Sequence, residues 1–128
     1  MEMITIPVSP GELVDRWSIL CIKRNHFLGS EKVENIFREM AGIESAVQKL
    51  FSNREVHRLF KRLLETNLRL WDIEDKLRYF EKNKMFGADF VSYARAVYVN
   101  NDMRSTLKNE INDLLGSNFR EVKSYEEY

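Results

Sequence analysis

Apolar residues recur along this chain in three- and four-residue steps over most of its length. That period belongs to the α-helix, whose faces return every 3.6 residues, and not to a strand, which alternates every two. From Ser30 onward, Val33, Ile36, Phe37, Met40, Ile43, Val47, Leu50 and Phe51 form one stripe. After a break at "SNR" (52–54), Leu59, Leu63, Thr66, Leu70, Ile73, Leu77 and Phe80 form another. The punctuation agrees with this pattern. Ser9, Pro10 and Glu12 make a helix start in which the serine caps, the proline loses no needed N–H, and the glutamate reaches back. A first helix is predicted from there to about Phe27, with Gly29 as its stop. Ser30 is expected to cap the second helix. Asn83 to Gly87 form the turn before a fourth helix, from about Ala88 to Leu115, which Gly116 ends. "MITIPV" (3–8) alternates only briefly before Pro7, and reads as a short edge strand or extended arm. The closing "SNFREVKSYEEY" (117–128) reads as an aromatic tail, docked beside that arm or on a second subunit. The expected fold is all-α: about four helices in antiparallel hairpins or a bundle, as one domain over 1–128.

Composition narrows the function classes. Lys and Arg number 20, Asp and Glu 20, so no net field draws the chain to a nucleic-acid polymer or an anionic membrane. The longest apolar runs, such as Ile19 to Ile22, fall far short of the ~20 residues that cross a bilayer, and the first residues lack the hydrophobic region of a signal peptide, so none is expected. A cytoplasmic location is expected. Cys21 has no partner for a disulfide and lies among Ile19, Leu20 and Ile22, as a structural thiol would. His26 and His57 have no second ligand at helical spacing, so no metal site is expected, and the glycine motifs that cradle phosphates are absent, so neither is a cofactor. Glu31 with Glu34 and Glu110 with Asp113 are spaced as in helical magnesium-dependent pyrophosphohydrolases, but the pairs stand too far apart for that pattern.

The candidate chemistry lies where apolar stripes turn polar. On helix three the series Phe60, Leu64, Asn67, Trp71, Glu74, Asp75, Arg78 is apolar at first and polar afterwards. On helix four the stripe Phe90, Ala94, Val97, Asn101, Arg104, Ile111, Leu115 is interrupted by an amide and a guanidinium, flanked by Asn100 and Asp102. On helix one, Glu12, Arg16, Ile19 and Lys23 share a face, with Asp15 beside it. A buried polar group left unpaired costs about 1–3 kcal/mol, so these groups should face one another, water or a ligand. Brought together, they would form a polar pocket walled by Trp71 and Tyr98. Arg16, Lys23, Arg95 and Arg104 would suit a phosphate or carboxylate. An internal salt-bridge network that only sets helix register is the competing reading.

Four segments, "PVSPGELVDRWSILCIK", "NLRLWDIEDKLR", "ARAVYVNNDMRSTLKNEINDLLGS" and "EVKSY", together resemble a small bacterial and phage family of unknown function whose members open with PVS-x-GEL. The similarity runs over nearly the whole chain. Pro10 and Arg16 depart from the phenylalanine and lysine common in that family at those positions. The resemblance implies a compact helical protein with its motif residues on helices one, three and four, and supplies no activity. The candidate ligand-binding set is therefore Glu12, Arg16, Lys23, Asn67, Trp71, Glu74, Asp75, Arg95, Tyr98, Asn101, Asp102 and Arg104.

The expected function is a helical protein that holds, or sequesters, a small anionic metabolite or nucleotide in a pocket between helices or subunits. A homo-oligomer is expected from the exposed-looking Phe37, Phe51, Phe60 and the tail. Two alternatives stand beside it. One is a cofactor-free mutase or hydrolase with Glu74 or Asp75 as acid or base. The other is a scaffold or adaptor with no ligand.

Overall fold

A computed structural model describes residues 3–128 as four α-helices in chain order: α1 Pro10–His26, α2 Val33–Phe51, α3 Arg54–Lys82 and α4 Ala88–Leu114. There is no strand among the described residues, so of the two readings of 3–8, edge strand or extended arm, the strand does not form. Pro7 removes a donor from that stretch, and no neighbouring strand is there to pair with it.

The helix ends follow from local chemistry. Ser9 sits in extended backbone and its hydroxyl accepts from the Glu12 N–H, with Pro10 at the first helical position. Gly29, at φ 85°, turns the chain out of α1. Asn53 caps α3 by accepting from the N–H groups of Glu55 and Val56. One expectation is corrected: Ser30 does not cap α2. Its hydroxyl accepts from the Lys32 N–H in a turn, and the helix begins at Val33 without a side-chain cap.

α1 touches the other three helices, whereas α2 and α4 do not meet. Gly11 lets this happen. Its N–H donates to Asn112 Oδ1 at 2.8 Å, and a β-carbon there would overlap the carbonyl oxygen of Lys108. Asp15 then meets Arg104, so α1 runs antiparallel to α4. One core cluster joins Val14 to Val56, Leu59 and Leu63 of α3 and to Leu107 and Ile111 of α4. A second sets Leu20 of α1 against Ile36 and Met40 of α2. Phe51 and Phe60, expected to look exposed, pack against the first cluster and against each other at 4.9 Å, while Phe37 stays half exposed.

The helices differ in length, and this shapes the molecule. At 1.5 Å per residue α1 is about 25 Å long, against about 43 Å for α3 and about 40 Å for α4. The α3/α4 hairpin thus continues past the end of α1, held there by contacts such as Phe80 on Tyr93. No helix among the described residues is long and apolar enough to cross a membrane.

Candidate functional site

The polar interruptions of α3 and α4 meet those of α1 in a buried network. Asp15, 1% exposed, is its centre. One carboxylate oxygen accepts from Asn67 Nδ2 and from Arg104 Nε, both at 2.9 Å; the other accepts from Arg104 Nη2 at 2.6 Å. Asn67 also donates to the Ser18 hydroxyl at 2.7 Å, and that hydroxyl donates to the Asp15 carbonyl. The two-point Arg104–Asp15 contact fixes the guanidinium plane and raises its pKa against the opposing effect of burial. Lys108, almost fully buried, stands 2.8 Å from Glu12, 2.6 Å from Glu121 and 4.0 Å from Asp15. Burial alone would lower its pKa, but these carboxylates outweigh burial and raise it.

Beside the network lies a cleft of about 590 Å³, a size that fits a metabolite. Ile19, Ile22 and His26 of α1 form one wall, and Leu70, Trp71, Glu74, Asp75 and Arg78 of α3 another. Asn67, Asn101 and Arg104 complete it where the network reaches the surface. Its cause is the early stop of α1: beyond His26 no helix covers the hairpin. His26 lies 5.1 Å from the Trp71 ring, so the two make an aromatic rim. Arg78 is engaged with Glu74 in the next turn. Arg104 Nη1, the Asn101 carboxamide and the Asp75 carboxylate have no protein partner among the described residues.

The candidate set divides accordingly. Asn67, Trp71, Glu74, Asp75, Asn101 and Arg104 line the cleft together. Glu12, Arg16 and Lys23 do not: with Glu39 of α2 they line a separate, shallower hollow of about 240 Å³, which meets the first only through Ile19 and Arg104. Arg16 is exposed and lies 3.9 Å from Glu39. Tyr98, expected as a wall, and Asp102 instead meet the tail, where Tyr128 donates to Asp102 Oδ2 at 2.6 Å and its ring stands 5.2 Å from that of Tyr98. Arg95 is exposed on α4 and lines neither hollow. Asn100 is buried but turned to the other side of the hairpin, where it accepts from Arg69 at 3.0 Å.

Three residues central to the network lay outside the candidate set, Asp15, Ser18 and Lys108, as did Asn112, which receives the Gly11 N–H. A signal for them existed. Gly11, Asp15, Ser18 and Ile22 advance by four, three and four, the same steps as Glu12, Arg16, Ile19 and Lys23 one residue on. Two faces 100° apart had equal periodicity, and the one carrying Gly11 is buried. On α4, the seven-residue step from Arg104 to Ile111 spans two turns, and the positions between them on that face are Leu107 and Lys108, both buried.

The chemistry available is limited. Cys21 packs beside the second cluster and burial pushes its thiol up, against the charge of Arg24, so it stays protonated at neutral pH. No group of three or more His, Cys, Asp or Glu side chains among the described residues is arranged to hold a metal ion. Comparison with known proteins finds no matching family model, curated protein or solved structure. The functional reading therefore rests on the geometry of the cleft.

Proposed function

We propose that this chain is a small-molecule binding protein whose site is the cleft between α1, α3 and α4. The observation that carries this reading is Arg104. Arg104 lines the cleft, Asp15 clamps two of its three guanidinium nitrogens, and the third has no partner among the described residues, which leaves a donor for one ligand oxygen. Asn101 adds an amide that both donates and accepts. Trp71 and His26 offer ring faces for a planar group.

The charges restrict the ligand. Arg104 is neutralised by Asp15 and Arg78 by Glu74, while Asp75 adds a carboxylate with no partner among the described residues. A polyphosphate would be repelled. The fit is to a metabolite or nucleotide with a planar ring, one anionic group for Arg104, and an amino or hydroxyl donor for Asp75.

Differential scanning fluorimetry against a panel of nucleoside monophosphates and ring carboxylates tests this. A ligand at 100 times its Kd stabilises the fold by about 2.7 kcal/mol, which raises Tm by several degrees. The Trp71→Ala/Asn101→Leu double variant should keep its helical circular dichroism and lose that rise. A panel that moves Tm nowhere, or moves it equally in the variant, contradicts the reading.

One observation favours a second reading, a scaffold without a ligand. Asp15, Ser18 and Asn67 satisfy one another, as in a network that only fixes register. That reading leaves the cleft idle, and the same variant separates the two.

A further inference from the structure

The C-terminal segment returns along α4 because Gly116, at φ 64°, reverses the chain. Asn109 fixes where it lands. Its Nδ2 donates to the Glu121 carbonyl at 3.0 Å and its Oδ1 accepts from the Glu121 N–H at 3.1 Å, so one side chain holds both backbone groups of that residue. The Glu121 carboxylate is thereby set 2.6 Å from the Lys108 ammonium.

Lys108 has a further carboxylate oxygen within reach, and it is a contested one. Asp15 Oδ2 stands 4.0 Å from the ammonium and is the same oxygen that accepts from Arg104 Nη2 at 2.6 Å. With the tail docked, Glu12 at 2.8 Å and Glu121 at 2.6 Å occupy the ammonium, and Asp15 gives both of its oxygens to Arg104. Without Glu121, a nearly buried ammonium with three donors keeps a single close carboxylate. A buried donor left unmade is costly, and Asp15 Oδ2 is the other carboxylate oxygen within 4.0 Å. Lys108 drawn to that oxygen competes with Arg104 Nη2, and a guanidinium left with one hydrogen bond in place of two is no longer fixed in its plane. The Glu121 charge is felt at Arg104 as well: the arginine's pKa, raised first by the hydrogen bond to Asp15 and against the effect of burial, is raised further by Glu121.

We propose that Glu121 and Lys108 are positioning residues for the cleft: the docked tail keeps Lys108 off Asp15 and so holds the Arg104 guanidinium in the orientation it presents there. Neither residue lines the cleft, so both act through Asp15. The inference rests on the cleft reading for its consequence alone, which is that a ligand anion binds Arg104 more weakly once the tail lets go.

The test needs no ligand. Four 15N-labelled full-length chains are compared: wild type, Glu121→Ala, Lys108→Met and the two substitutions together. The readout is exchange of the Arg104 Nε–H with water, which follows that guanidinium and not the fold as a whole. Glu121→Ala should speed it at least about fivefold, the low end of coupling between sites, while helical circular dichroism stays the same. In the Lys108→Met background the same substitution should change it by less than about twofold, because the residue that carries the effect is gone. Unchanged exchange in Glu121→Ala overturns the proposal, as does an equal acceleration in the Lys108→Met background; the first comparison decides by itself if Lys108→Met fails to fold. An unchanged rate leaves the cleft reading intact, and a ligand panel that moves Tm nowhere leaves the positioning intact, so the two fail separately.

Discussion

Asp15 is the residue on which three helices converge. It accepts three hydrogen bonds while 1% exposed, and its charge is balanced by Arg104, with the Lys108 ammonium 4.0 Å away. Removing one member of a buried ion pair leaves the other charge uncompensated, which costs about 3–5 kcal/mol. Asp15→Ala should fall at the low end, about 3 kcal/mol by urea denaturation, because Arg104 keeps some access to water. Asp15→Asn should lose less, since the amide retains one acceptor. A loss under ~1 kcal/mol for the alanine variant would mean that the network does not hold the helices together. Gly11 makes the complementary case. Its missing side chain is what allows α1 to lie against the backbone of α4, so Gly11→Ala should destabilise by about 1–3 kcal/mol through overpacking, despite alanine's better helix propensity. Wild-type stability in that variant would contradict the close approach.

At the scale of elements, the tail and α4 form an ionisable latch whose pH dependence has a definite sign. Burial alone would raise the pKa of Glu121, but its hydrogen bond and ion pair with Lys108 prevail and lower it below the ordinary 4.5. A carboxylate lowered on docking contributes stability above its free value and loses it as pH falls through the docked one. Lys108 is raised above 10.5, so its contribution is present below that pH and lost only above it. Between these limits the latch should stay closed. As pH drops below about 4.5 the Asn109 side-chain amide signal should move toward that of a Glu121→Ala/Tyr128→Phe variant, whose tail is released, ahead of global unfolding. A signal constant down to the unfolding transition would show that the Lys108–Glu121 pair does not hold the tail. The helices themselves were legible because capping and periodicity are local: Ser9, Gly29 and Gly116 set their ends where the spacing predicts. The start of α2 was not, since a serine hydroxyl serves a turn as readily as a helix, and Ser30 serves the turn.

For the whole molecule, the difference in helix length creates the cleft, and this is why half of the candidate site was readable and half was not. Asn67, Trp71, Glu74, Asp75, Asn101 and Arg104 share it because α3 and α4 pair along their length, so two stripes that turn polar at the same level must meet. The rotation of α1 about its axis has no such local determinant, and a 100° ambiguity put Glu12, Arg16 and Lys23 in the candidate set in place of Asp15 and Ser18. Tyr98 and Asp102 flank helix four's stripe, one residue past Val97 and Asn101, and their partner is the tail, a contact that no helical period encodes. The claim that the cleft holds a metabolite is tested most directly by native mass spectrometry of the wild-type chain beside the Trp71→Ala/Asn101→Leu variant, both purified under gentle conditions. A metabolite-sized mass should be retained by the wild type and missing from the variant. Bare protein in both samples, or the same adduct in both, would contradict it.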